Sequence, residues 1–150
     1  MTTADKPVYL RCRACGALNR VSLYRLRERP LCGKCKTPLE FPVRPVEATA
    51  GTFGKEVFEW PGIVMVEFWS IRCGACALIA PLLEKAANQK AGILKVVKVN
   101  IEREPNLAQH FQIRSTPTLL VYRSGRLIDE LYGALPVPEM QAWIERAVSS

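Results

Sequence analysis

Beyond residue 50 the apolar positions fall into alternating stripes and runs. Thr52 to Trp60 sets Phe53, Val57 and Trp60 at helical spacing, and Ile63-Val-Met-Val-Glu-Phe-Trp69 is a continuous apolar run broken by one charge. A run of that length, rich in β-branched residues, predicts a strand buried on both faces. Residues 74–90 predict a helix with Leu78, Leu82 and Ala86 on its inner face, and Ile93 to Ile101 predicts a second buried strand carrying Lys98. A short helix is expected over 104–111. Thr118–Tyr122 and Arg126–Tyr132 read as two strands joined at Ser124-Gly125, a hairpin signal. Pro138 to Val148 closes the chain as a helix with Met140, Trp143, Ile144 and Ala147 inward. Alternating strands and helices, then a hairpin and a helix, predict an α/β fold with a central mixed sheet flanked by helices.

Residues 1–45 lack this rhythm. They hold Cys12-Arg-Ala-Cys15 and Cys32-Gly-Lys-Cys35, with few large apolar residues between and glycine at 16 and 33. A segment so short buries too little surface to fold without a staple. Pro42 and Pro45 mark a linker. The expected organisation is a module over 1–45 and a second domain over 46–150.

Composition narrows the setting. No stretch of 18 apolar residues predicts a membrane span, and residues 1–10 show no apolar leader, so the chain is expected to be cytosolic and unprocessed. The formal charge of +7 lies in residues 1–45, because 46–150 hold equal numbers of acidic and basic residues. Arg13, Arg20, Arg25, Arg27 and Arg29 suit an acidic or nucleic-acid partner, or a solvated face. Without an RNA-binding pattern the solvated face is preferred, and nucleic acid is not expected as a partner. His110 is the only histidine, which excludes a site built on two imidazoles.

Six cysteines in a reducing compartment call for chemistry other than structural disulfides. Sixteen residues separate Cys15 from Cys32, the spacing of a four-cysteine zinc ribbon, so one structural zinc on Cys12, Cys15, Cys32 and Cys35 is expected. An iron–sulfur centre would use the same ligands, and oxidation would give two disulfides; spacing and compartment favour zinc. No organic cofactor is expected. The third pair, Cys73-Gly-Ala-Cys76, sits where a buried strand meets a helix. Backbone N–H groups and the helix dipole there favour a thiolate, which makes the pair a redox candidate. Glu67 and Lys98 are charges in apolar strands. The residues alone leave two readings level: pairing across adjacent strands, or both side chains pointing outward.

The segment Val66-Glu-Phe-Trp-Ser-Ile-Arg-Cys-Gly-Ala-Cys-Ala-Leu-Ile-Ala-Pro81, with Arg114-Ser-Thr-Pro-Thr118 and Tyr132-Gly-Ala134, resembles the thioredoxin family over about residues 46–150. The four-cysteine extension resembles the family's zinc-containing bacterial thioredoxin-2 subgroup. The resemblance implies a monomeric protein-disulfide reductase, recharged by an NADPH-dependent thioredoxin reductase. It implies that Cys73 is the nucleophile and Cys76 the resolving thiol. Pro117 matches a cis-proline that sets the Thr116 backbone beside the dithiol, and Trp69 a tryptophan packed under the active-site loop. Gly133 matches a glycine that leaves room for substrate, and Pro81 a proline that bends the helix. Glu67, paired with Lys98, stands where the family has a buried aspartate and would take the Cys76 proton. Ala75 and Arg72 depart from the family's proline and tryptophan, and bear on redox poise and substrate choice. Two other readings remain: a zinc ribbon acting as an adaptor, and a zinc site acting as an oxidation sensor.

Arg72 generates a prediction. A guanidinium ~6 Å from the Cys73 sulfur in a water-like dielectric attracts its thiolate by about 0.7 kcal/mol, or roughly half a pKa unit. Arg72→Trp should raise the Cys73 pKa by up to that amount, and added salt should shrink the difference. Thiolate absorbance against pH at two ionic strengths measures it; an unchanged or lower pKa would show that Arg72 points away from the sulfur.

Overall fold

The computed structural model describes residues 7–149, so most of the segment read as lacking a leader, residues 1–6, lies outside the described residues. A hairpin of β1 (Pro7–Arg11) and β2 (Leu18–Ser22) comes first, followed by a 3-10 turn over Leu23–Glu28. The rest comprises β3 (Val46–Glu47), a turn over Gly54–Phe58, β4 (Ile63–Trp69), α1 (Gly74–Gln89), β5 (Leu94–Asn100), α2 (Pro105–His110), β6 (Thr118–Arg123), β7 (Arg126–Tyr132) and α3 (Val137–Ser149). The five-stranded sheet runs β3-β5-β4-β6-β7, with β4 parallel to β5 and antiparallel to β6. This is the expected mixed sheet.

Strand alternation divides the core. Ile63, Met65, Leu94, Val96, Leu119 and Val121 pack against α1 and α3 on one face. Val64, Val66, Phe68, Val97 and Val99 face Phe53, Val57 and Trp60 on the other. The inner face of α1 includes Ala86 and the half-buried Leu82, as expected, and departs from expectation at Leu78. Cys76, Ile79, Leu83, Ala86 and Ala87 are buried, while Leu78 is 74% exposed. Apolar residues occur on both sides of this helix, and the buried face is the one that carries Cys76. The expected helix over 52–60 shrinks to the five-residue π-type turn, closed by Glu59 N donating to Gly54 O at 2.9 Å, with Phe53, Val57 and Trp60 still inward.

The N-terminal module leans on the sheet domain. Val8, Leu10, Val21 and Leu39 share one apolar cluster with Phe53, Val57 and Trp60, and the Phe41 and Trp60 rings meet edge to face at 5.6 Å. Gly92, at φ +94°, lets Leu23 and Leu26 lie against the turn before β5, where a Cβ would overlap both side chains. The module thus covers the end of the sheet where β4 and β5 begin.

Lys95 is a second charge in β5, and sequence reading passed it over. It is fully buried, on the opposite face of the strand from Lys98. Its Nζ donates to Glu56 O at 2.8 Å, pairs with Glu56 Oε2 at 2.9 Å, and lies 3.8 Å from the centre of the Trp60 ring. The carboxylate contact is an ion pair and not an aligned hydrogen bond. Arg13 of the module reaches the other oxygen of Glu56 at 3.9 Å. Truncating one partner of such a pair leaves a charge without compensation, so Lys95→Ala should cost roughly 3–5 kcal/mol of unfolding free energy. The double variant Lys95→Met, Glu56→Gln should recover most of that loss. Urea titrations compare the three proteins, and a tolerated Lys95→Ala would show that the pair is solvated.

Candidate functional site

The reactive end is built where β4 stops. Cys73 caps α1 with extended backbone, and its Sγ accepts a 3.1 Å hydrogen bond from Cys76 N. An N–H aimed at this sulfur, together with the dipole of a 16-residue helix, stabilises negative charge there. Cys73 and Cys76 are joined as a disulfide, with Cys73 partly exposed and Cys76 buried. A side-exposed sulfur in front of a buried one allows attack by one thiol and resolution by the other.

The loop between Trp69 and Cys73 is tied to the start of the next loop, after β5. Glu102 accepts hydrogen bonds from Ser70 Oγ and from Ile71 N, the latter at 3.1 Å, while Ile101 N donates to Trp69 O at 3.0 Å. Ser70 and then Ile71 hold the Glu102 carboxyl below its ordinary range, and the nearby Arg72 guanidinium adds to this. Sequence reading missed Ser70 and Glu102. The available signal was the register, since Trp69 and Asn100 are partners at the matching ends of parallel strands. Arg72 is exposed and has Glu102 in its field, which offsets part of its charge toward Cys73.

Topology brings other expected residues to this end. Phe68 pairs with Thr118, so the cis Thr116–Pro117 bond lies at the same end of the sheet as Trp69. Gly133 follows β7 there and donates its N–H to Pro117 O at 2.8 Å. Its φ of +81° favours glycine, and open space surrounds the position a Cβ would take.

Glu67 is fully buried on the α1 face of β4, and its Oε1 lies 3.9 Å from Lys98 Nζ, its register partner on β5. Of the two readings left level by the residues, burial holds for the glutamate, and Lys98 is partly exposed, at 21% of its side chain. Neither carboxylate oxygen accepts a hydrogen bond from the protein. Burial pushes Glu67 up to about 7, opposed by Lys98 and reinforced by Glu47. Lys98 Nζ also sits 4.6 Å from the Trp69 ring centre.

At the other end of the sheet the remaining cysteines converge. The sulfurs of Cys12, Cys15, Cys32 and Cys35 lie within 4.8 Å of one another, with Cys12–Cys35 and Cys15–Cys32 each 3.6 Å apart. Four sulfurs about 2.3 Å from a tetrahedral zinc stand about 3.8 Å apart, so this donor set fits the ion. Each pair turns through the same bonds: Cys12 N to Ala17 O and Gly16 N to Cys12 O in the first, Cys32 N to Thr37 O and Lys36 N to Cys32 O in the second.

Comparison with known proteins accords with both sites. The thioredoxin family model matches residues 44–146, and a model described as Thioredoxin 2, N-terminal, matches residues 11–37. The chain belongs to the thioredoxin family. Thioredoxin C-3 of Corynebacterium nephridii is 31% identical over 135 residues, covering 90% of this chain and 92% of the relative. Thioredoxin 1 of Nostoc sp. is 37% identical over 100 residues, covering 67% and 94%. Thioredoxin 2 of Chlorobaculum tepidum is 36% identical over 90 residues, covering 60% and 83%. The chain is a protein thiol–disulfide oxidoreductase with an N-terminal zinc-ribbon site.

The buried carboxyl has a measurable consequence. An unperturbed glutamate titrates near 4.5 and Glu67 near 7, so the folded state holds this proton more tightly. Its contribution to stability is fully present below about pH 4.5 and is lost as pH rises through about 7, a change of about 3 kcal/mol. Glu67→Gln keeps the shape without the titration. In the oxidised protein, the unfolding free energy of the variant relative to the parent should therefore rise by about that amount between pH 4.5 and 8. A difference that stays constant with pH would mean that Glu67 ionises as freely as in water.

Proposed function

We propose that the protein reduces disulfides of other proteins in the cytosol as a monomer, and is itself reduced by an NADPH-dependent thioredoxin reductase. The observation that carries this is the dithiol at the start of α1, with Cys76 N–H on the Cys73 sulfur. The Cys73 thiolate attacks one sulfur of a substrate disulfide, forming a mixed disulfide and releasing the other substrate sulfur as a thiolate. The Cys76 thiolate then attacks Cys73 Sγ, closing the internal disulfide and releasing the second substrate thiolate. Two electrons have moved from the dithiol to the substrate. Glu67, assisted by Lys98, takes the Cys76 proton; burial and a pKa near the working pH support that role. Trp69, Arg72, Thr116, Pro117 and Gly133 form the substrate-facing surface. Residues 1–45 make the zinc module and linker, and 46–150 the redox domain, a boundary supported by the sheet's first strand opening at Val46. One zinc on Cys12, Cys15, Cys32 and Cys35 serves structure, since four thiolates close its coordination shell.

Insulin-disulfide reduction coupled to NADPH oxidation by a thioredoxin reductase tests the reading, with zinc measured on the same sample. The parent chain should turn over and hold about one zinc. Cys73→Ser should be inactive, and Cys76→Ser should accumulate a mixed disulfide that dithiothreitol releases. The reverse pattern would exchange the two roles. Cys32→Ser should lose the metal, and full occupancy in that variant would overturn the ligand assignment.

A further inference from the structure

Asn19 belongs to neither cysteine pair, yet its side chain bridges both. It follows the first knuckle directly, on β2, on the strand face that also carries the buried Val21. Its Nδ2 donates to Ala17 O at 3.2 Å, the carbonyl that also receives Cys12 N and closes the first knuckle. The same Nδ2 donates to Cys32 Sγ at 3.4 Å, while Oδ1 accepts from Gly33 N at 2.9 Å in the second knuckle. Both amide hydrogens and the carbonyl oxygen are thus engaged. Turning the amide over would set its oxygen against Ala17 O and the sulfur, so these contacts fix its orientation. Lys34 N adds a second N–H to Cys32 Sγ at 3.4 Å.

We infer that Asn19 is a positioning residue of the zinc site, holding the two knuckles in register and donating a hydrogen bond to the Cys32 thiolate. The inference rests on the zinc-ribbon reading. Four thiolates around a dication carry excess negative charge, and each N–H directed at a sulfur offsets part of it. Outer partners of this kind orient a ligand and tune its affinity, and their loss typically lowers metal affinity 10–100-fold. Lys34 N reaches Cys32 Sγ from within the second knuckle, whereas Asn19 brings its donor from the first, so only the Asn19 contact ties the two knuckles together at this sulfur.

The test uses the full-length chain, competing for zinc against a chromophoric chelator and, separately, loaded with cobalt(II). Asn19→Ala removes the whole bridge. Asn19→Asp is nearly isosteric and keeps an acceptor for Gly33 N, but loses both N–H donors and places a carboxylate beside the sulfurs. Both variants should bind zinc 10–100-fold more weakly, with Asn19→Asp at least as impaired as Asn19→Ala. Their sulfur-to-cobalt charge-transfer bands should shift from the parent position. Parental affinity in Asn19→Asp, or unshifted bands in both variants, would overturn the role on the thiolate. A parent chain that takes up neither metal would overturn the zinc reading itself.

Discussion

The reactive end depends on one hydrogen bond, from Cys76 N to Cys73 Sγ, made at the point where β4 gives way to α1. For that bond to exist, the strand must end where it does and the helix must begin with a cysteine as its cap. Buried neighbours on both faces of β4 fix the strand, and the phase of the helix turns Cys76 inward. The same phase puts Ile79 and Leu83 into the core and leaves Leu78 in solvent beside the dithiol's helix. The cap and the packing of Ile79, Leu83, Ala86 and Ala87 thus agree on one face of a 16-residue helix.

The two cysteine sites lie at opposite ends of the sheet. The zinc tetrad sits on the module that covers the start of β4 and β5, and the dithiol follows the end of β4. Seven residues of strand separate these ends, about 20 Å at the usual rise. What connects the ends is packing: one apolar cluster runs from Leu10 and Val21 through Trp60 to Phe68, the residue before Trp69.

The order of elements, the mixed sheet, the capped dithiol and the four-cysteine tetrad were legible in the sequence because each leaves a local mark: an apolar run, a hairpin dipeptide or a fixed spacing. The exact phase of α1 was not legible, since Leu78 is as apolar as Ile79 and Leu83. Lys95 was not legible either, because a lysine in an apolar strand looks solvent-facing until Glu56 and Trp60, nearly forty residues away, are seen to enclose it. Ser70, Glu102 and Asn19 escaped notice for a related reason. Each acts through one hydrogen-bonding side chain whose partner lies across a strand or a knuckle, and polar residues of that kind carry no periodicity.

Lys95 and Lys98 show how one strand serves both ends. They are three residues apart on β5, so the two-residue alternation sends them to opposite faces. Lys98 meets Glu67 and the Trp69 ring on the side of the dithiol. Lys95 meets Glu56 and the Trp60 ring beneath the module, and Arg13 extends that contact to the residue after Cys12. Each lysine is thus enclosed by a carboxylate and an indole, but the balance differs. Lys95 is fully buried, and loss of hydration pulls its pKa down against the pull of Glu56. Lys98 keeps a route to solvent, and it is Glu67 whose proton affinity is raised. Burial therefore falls mainly on the cation beneath the module and on the carboxyl on the α1 face of β4, and it moves the two groups in opposite directions: the lysine's pKa is lowered and the glutamate's raised.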